Sequence, residues 1–398
     1  MAALFLLSFA VAAGNGAIFA LLPQIQEAAA LPTWSLGLVV GSSFGAGLVS
    51  QLVLARYADR GHARLMLLVG ACVAALGYIG VGYGWGLGSV VAGRAVAGLG
   101  IGMVYPAGRK LLVARHPDRA GQMLGYFLAC DVAGFVLGAP IGAGLAALGG
   151  VGVAFSVLAA VIVLCAVPVA RLRLEISAES IQAARAERSV LRNLLRRRRL
   201  RAGLALGAAT FWAIGVFDTV WARYLTDLGS STWFIAVSLT CFGLPMAALA
   251  GFGGRVSDRY GPLPVGLVAG VAVVPFVVAY GQVASPSGLI AVSVIHAMID
   301  AVNMPAAQAC VVAECAEHEV AAGQGLLSAM QLSTAAISAL AVAPIYQRYG
   351  AGACFGIAGV VMVTALAVAL HQSLPQRGSA TRAQAQVPAP PAAARSAR

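Results

Sequence analysis

Apolar runs of about twenty residues alternate along this chain with short stretches that carry most of its charge. The runs fall at roughly 4–23, 36–55, 65–84, 88–109, 121–147 and 151–170, then at about 202–223, 232–253, 263–283, 287–312, 322–346 and 351–371. A helix needs ~20 apolar residues to cross a bilayer, so the pattern predicts twelve transmembrane helices, six and six. Pro140, Pro245, Pro275 and Pro344 interrupt several runs, which membrane helices tolerate because neighbouring helices satisfy the freed backbone groups. The first run resembles a secretion signal around Ala12-Ala13-Gly14, but no Lys or Arg precedes it and many spans follow, so it is read as a retained helix.

The polar stretches repeat. Ala55-Arg56-Tyr57-Ala58-Asp59-Arg60-Gly61-His62-Ala63-Arg64 follows the second run, and Gly254-Arg255-Val256-Ser257-Asp258-Arg259-Tyr260-Gly261-Pro262-Leu263 follows the eighth. Their Asp-Arg pairs stand 199 residues apart (59 to 258), and the same offset joins Pro106-Ala107 to Pro305-Ala306. A shared offset between unrelated landmarks indicates internal duplication. The expected domains are an N-terminal six-helix half (1–171), a basic linker (172–201), a C-terminal six-helix half (202–371) and a disordered tail (372–398) rich in Ala, Pro, Gln and Arg.

Composition agrees with the pattern. The 398 residues are 60% hydrophobic and 10% charged, against about a quarter charged in soluble domains, and mean hydropathy is +0.87. The net charge of +12 does not imply nucleic acid, because the basic residues gather in particular connections. Those after spans two, four, six and eight hold Arg56, Arg60, Arg64, Arg109, Lys110, Arg115, Arg119, Arg171 through Arg201, Arg255 and Arg259, whereas the alternate connections hold little beyond Arg223 and Arg348. The positive-inside rule then places both termini in the cytoplasm of a cell-membrane protein. Glu314, Glu317 and Glu319 break the pattern after span ten. The linker reads as an amphipathic helix on the inner membrane face, with Arg196 through Arg199 and Arg201 fixing orientation or binding anionic lipid headgroups. The seven cysteines show no paired spacing and read as small buried residues. Glu314, Cys315 and His318 fall at a helix end facing water, so no metal or other cofactor is expected.

Twelve spans, a basic central loop and a duplicated Asp-Arg turn together resemble the major facilitator superfamily. The family's loop motif is matched by Gly254, Asp258, Arg259 and Gly261, and in the first copy by Asp59 and Arg60, with Ala55 and His62 at its glycine positions. Arg94 with Gly98, Gly100 and Gly102 is similar to the span-four motif. Gly125, Gly134, Gly138, Pro140 and Gly142 are similar to the span-five pattern of exporters that exchange substrate for protons, with the proline one residue late. The resemblance implies an all-α membrane fold of two repeats, working as a monomer by alternating access, with helix packing through these glycines, with spans four and five forming much of the sliding interface, and with the Asp-Arg turns as cytoplasmic gates. It gives no support for an enzyme.

An ionisable group near the bilayer centre costs ~2.5–3.5 kcal/mol or more, which marks such residues as functional candidates. Five qualify: Arg94, Asp131, Asp218, His296 and Asp300. Burial raises a carboxylate's pKa and a nearby arginine lowers it, so rocking halves could load and release a proton, with Asp218 the leading candidate and Arg94 a charge partner, including for Asp131. His296, Asp300 and Asn303 share a helix face and read equally as a proton relay or as a packing hydrogen bond. Asn15, Trp212, Trp221 and Asn303 are assigned to the substrate cavity. The expected activity is proton-driven export of a small lipophilic compound or drug. The alternatives are a metabolite importer or facilitator, and a membrane sensor that moves nothing.

Overall fold

The computed structural model describes residues 2–57, 62–116, 119–171, 187–316 and 319–374. Asp59, Arg60, His318, most of the linker and the tail beyond 374 lie outside the described residues. Ten described helices are long and apolar enough to cross a membrane. They are α1 (Ala2–Ala28), α2 (Leu36–Tyr57), α3 (Ala63–Gly82), α4 (Leu87–Arg115), α5 (Ala120–Ala170), α7 (Arg198–Asp227), α8 (Thr232–Tyr260), α9 (Pro262–Tyr280), α10 (Pro286–Ala313) and α11 (Val320–Ser373); α6 (Glu187–Arg196) is a short linker helix.

At 51 and 54 residues, α5 and α11 are each about twice the length a bilayer accommodates. Each breaks once, at Gly150 (φ 82°, ψ 174°) and Gly350 (φ 75°, ψ −174°). Positive φ is easy only for glycine, so one residue reverses the chain without a loop. The two breaks raise ten helices to twelve crossings and, at positions 150 and 350, extend the repeat.

Packing follows the same duplication. In the N-terminal half α1 packs on α5, α2 and α3 on α4, and α3 on α5; in the C-terminal half α7 packs on α11, α8 and α9 on α10, and α9 on α11. The halves meet through α2 with α11 and α5 with α8, again an equivalent pair. Small residues set these distances, as expected where lipid supplies no hydrophobic drive between helices. Gly98 seats against the Ser43 backbone of α2, Gly100 against Ala74 of α3, Gly102 against Ser50, and Gly134 and Gly138 against the α1 backbone at Phe9 and Ala13. The glycines of α4 and α5 therefore close contacts inside one half; of the two spans expected at the sliding interface, α5 meets the other half through α8, whereas α4 packs on α2 and α3. Gly138→Val should lower unfolding free energy by about 1–3 kcal/mol or more, because its side chain meets backbone that cannot yield. Gly125→Val, which enters open space, should melt close to the parent in the same scanning measurement.

Pro140 links sequence to the inter-half contact. Proline cannot donate to the carbonyl four residues earlier, so Val136 is left with a free acceptor. The Thr240 hydroxyl of α8 reaches that oxygen at 3.3 Å, while bonding its own Ala236 carbonyl at 3.0 Å. Beside it Gly243 of α8 makes room for Val136.

The basic turns, α6 and the ends of α5 and α11 near residues 170 and 373 define a basic face. Hydrogen bonds joining the halves gather at the opposite face: Gln24 to Thr232 at 2.8 Å, Arg223 to Gln26 at 3.3 Å, and the Trp34 amide to Gln347 at 2.9 Å. Gly37 and Gly41 of α2 press on Ala339 and Leu340 of α11 on the same side. Toward the basic face, Gly125 of α5, Gly251 and Gly254 of α8 and Gly325 of α11 have open space beside them. The halves are tied together at the opposite face.

Helix α6 is docked on the C-terminal half. Leu194 is buried with Leu200, Leu204, Val311, Ala322 and Leu327. Arg197 holds Glu319 with both guanidinium nitrogens, at 2.7 and 2.9 Å, and bonds the Glu314 carbonyl. Arg199 approaches the Glu314 carboxylate at 4.0 Å, and Arg198 donates to the His371 carbonyl. Glu314 and Glu319, two of the acids that broke the charge pattern after span ten, are thus partners of the linker, and of the basic cluster Arg196, Arg199 and Arg201 remain exposed.

Candidate functional site

Helix α4 enters from the opposite face and places Arg94 about 10 Å along its axis, while Asp218 lies about 14 Å in from the end of α7. The two stand on different halves and mark the candidate chamber between them. Arg94 is 1% exposed. It donates from Nη1 to Asn15 Oδ1 on α1 at 2.8 Å, and its guanidinium carbon sits 5.2 Å from the centroid of the Phe19 ring. Its Nε is buried without a partner, and it makes no ion pair within 4.0 Å of a described residue. Asp218, on the other half, is half-buried and takes no hydrogen bond from a described residue. Phe135 of α5 packs on Phe19 with centroids 5.7 Å apart, giving this chamber an aromatic wall.

Asp131 is half-buried on α5 beside the Tyr105 hydroxyl of α4, its hydrogen-bonding partner, with the Arg109 charge in reach. It forms no bridge with Arg94, correcting that expectation. His296, Asp300 and Asn303 lie inside the C-terminal half, with His296 and Asp300 only 4% and 3% exposed. His296 Nδ1 shares a 2.8 Å hydrogen bond with the Tyr280 hydroxyl of α9. Its Nε2 lies 3.1 Å from Asp300 Oδ2 but is not aligned for a hydrogen bond, so that contact is charge proximity. The Asn303 amide donates to Asp300 at 3.2 Å and to Thr210 of α7 at 2.9 Å. This chain ties α7, α9 and α10 together away from the chamber.

Trp212 is half-buried on α7. Trp221 and Asn303, both expected in the cavity, are each 1% exposed. Trp221 stacks on Phe217 with centroids 4.4 Å apart and donates to Ser238 at 2.9 Å, as a core residue. Asp258 and Arg259 are exposed at the end of α8, where Gly261 (φ 87°) makes a one-residue turn into α9; Arg259 lies over the Tyr260 ring and Asp258 has no ion pair with a described residue. No group of metal-binding side chains is present among the described residues. Sequence reasoning missed Phe19, Tyr105, Thr210 and Tyr280, since uncharged polar and aromatic residues in an apolar run carry no mark of function. Thr240 was recoverable only as a partner for the carbonyl that Pro140 frees.

Two six-helix halves, related by a repeat and enclosing charged residues at mid-depth, define a membrane transporter architecture. The Major Facilitator Superfamily model matches residues 4–239 and 220–397, and the chain belongs to that family. No curated protein matches it. Among solved structures it is similar to a bacterial homolog of the human lysosomal transporter Spinster in an inward-facing and occupied conformation, with a TM-score of 0.78, 17% identity, and coverage of 93% of this chain and 95% of that one. It also resembles a point mutant of the nucleoside transporter NupG (TM-score 0.74, 14% identity, 94% and 99% covered) and the human organic anion transporter MFSD10 (0.67, 19%, 92% and 98%). At these identities the likeness is one of fold. Family and fold mark a transporter rather than an enzyme.

Proposed function

We propose that the protein is a proton-coupled exporter of a small organic compound with an aromatic or lipophilic part. By the positive-inside rule the basic face is cytoplasmic, with both termini on that side, so the face tied by the cross-half hydrogen bonds is the outer one. The observation that carries the reading is the pair Arg94 and Asp218, ionisable residues one on each half, neither closed into an ion pair with a described residue. Rocking the halves changes their separation. A nearer guanidinium favours the ionised carboxylate and a more distant one favours the protonated form, so the conformational cycle loads and unloads a proton. Phe19, Phe135 and Trp212 supply apolar surface for the substrate, and the span-five pattern supports the export direction.

Inside-out vesicles energised to an acid lumen test this. Some member of a panel of lipophilic cations, antibiotics and metabolites should alkalinise the lumen in proportion to the protein present. Asp218→Asn should abolish the response while leaving melting temperature near the parent's. Substrate binding with no proton movement would replace the reading by a facilitator or sensor.

A further inference from the structure

We infer that the substrate is amphoteric, carrying an anionic group for Arg94 and a cationic group for Asp218, and that it bridges the two halves. The inference rests on the transporter reading above and adds the substrate's charge pattern.

Arg94 has five N–H donors in a planar fork, and a single hydrogen bond, to Asn15, engages it. An arginine buried this far without a counter-ion is expensive, and one amide dipole with one aromatic face offsets only part of the cost. A carboxylate or similar anion fits the unused side of the fork, where two parallel hydrogen bonds can form. Asp218 presents the complementary deficit. It is half-buried, on the other half, and accepts no hydrogen bond from a described residue. Direct pairing would neutralise both, yet with the opposite face closed they stay beyond 4.0 Å. A ligand with an anion at one end, a protonated amine at the other and a ring between them would satisfy both and lie against Phe19 and Phe135. The amine also displaces the proton from Asp218, so binding and coupling share one group.

The probes are a matched set on one ring: 4-(aminomethyl)benzoate as zwitterion, 4-methylbenzylamine as cation and 4-methylbenzoate as anion. Affinity is measured by calorimetry or thermal stabilisation of the purified full-length protein in lipid nanodiscs. The zwitterion should bind at least about tenfold more tightly than either parent, since a hydrogen-bonded charge contact contributes that much or more. Arg94→Gln should reduce the zwitterion to the affinity of the amine, and Asp218→Asn should reduce it to that of the acid. Arg94→Lys, which keeps the charge but loses the fork, should fall between and serves where Arg94→Gln fails to fold. Equal affinity for amine and zwitterion, insensitivity to both Arg94 variants, or no binding of any probe at about 10 mM would overturn the inference. The vesicle proton assay with its unrelated panel is independent of these probes, so failure here leaves the exporter reading standing or falling on its own result.

Discussion

Removing the polar contacts at the face opposite the basic one, as Arg223→Ala, Thr232→Ala and Gln347→Ala together, is expected to move the protein out of the state in which that face is closed. The three side chains supply the cross-half bonds to Gln26, Gln24 and the Trp34 amide. All three changes lie on the C-terminal half, so the α1–α2 turn keeps the bonds from Gln26 to the Leu31 carbonyl and Thr33. Asp227, which loses its 2.7 Å ion pair with Arg223, keeps the 2.6 Å hydrogen bond from Tyr346. Each bond contributes about 1 kcal/mol net. Three lost together favour opening by about 3 kcal/mol, or about 100-fold in the equilibrium between the two states. The apolar seam of α2 on α11 remains, so the halves stay associated. Spin labels at Ala28 and Trp233, both exposed on this face of different halves, report the change by pulsed distance measurement. A longer distance should become a major population in the triple variant, with each single variant shifting about one-third as far in free energy. An unchanged distribution would show that the seam alone holds this face shut.

The latch also shows where sequence reading stopped. Spans, repeat and the turn at Asp258-Arg259 were legible because the hydrophobic pattern is strict and the turn chemistry is local. The 199-residue offset anticipated the equivalence of α2 on α4 with α8 on α10, though nothing in it gave the helix pairs. Glycine spacing on α4 and α5 pointed to close approach but not to the partner, which proved to lie within the same half. Gln24, Gln26 and Gln347 are ordinary polar residues near span ends, and only their meeting across the halves makes a gate. Charge was the most informative signal inside the membrane, naming the five ionisable candidates and putting Asp218 first. Separating them in space needed their partners: Arg94 and Asp218 stand on different halves without an ion pair, whereas His296 and Asp300 are tied to Tyr280 and Asn303 inside the C-terminal half.

The enclosure of His296 and Asp300 by α7, α9 and α10 predicts opposite phenotypes for Asp300 and Asp218. Asp300→Ala leaves His296 buried beside an empty site and deprives the Asn303 amide of one of its two acceptors. Removing one partner of a buried pair costs ~3–5 kcal/mol, against ~0.6 kcal/mol for an average interhelical hydrogen bond in lipid, so the protein should melt far earlier than the parent. The double change His296→Leu with Asp300→Leu removes both polar groups and fills their volume, and should recover most of that loss. Proton movement per folded molecule should survive in the double variant, because neither group reaches the chamber. Asp218→Asn should do the reverse, keeping its fold and losing the proton. If instead the double variant is stable and moves no protons, the His296–Asp300 pair is the relay, and the coupling group lies inside the C-terminal half rather than between the halves.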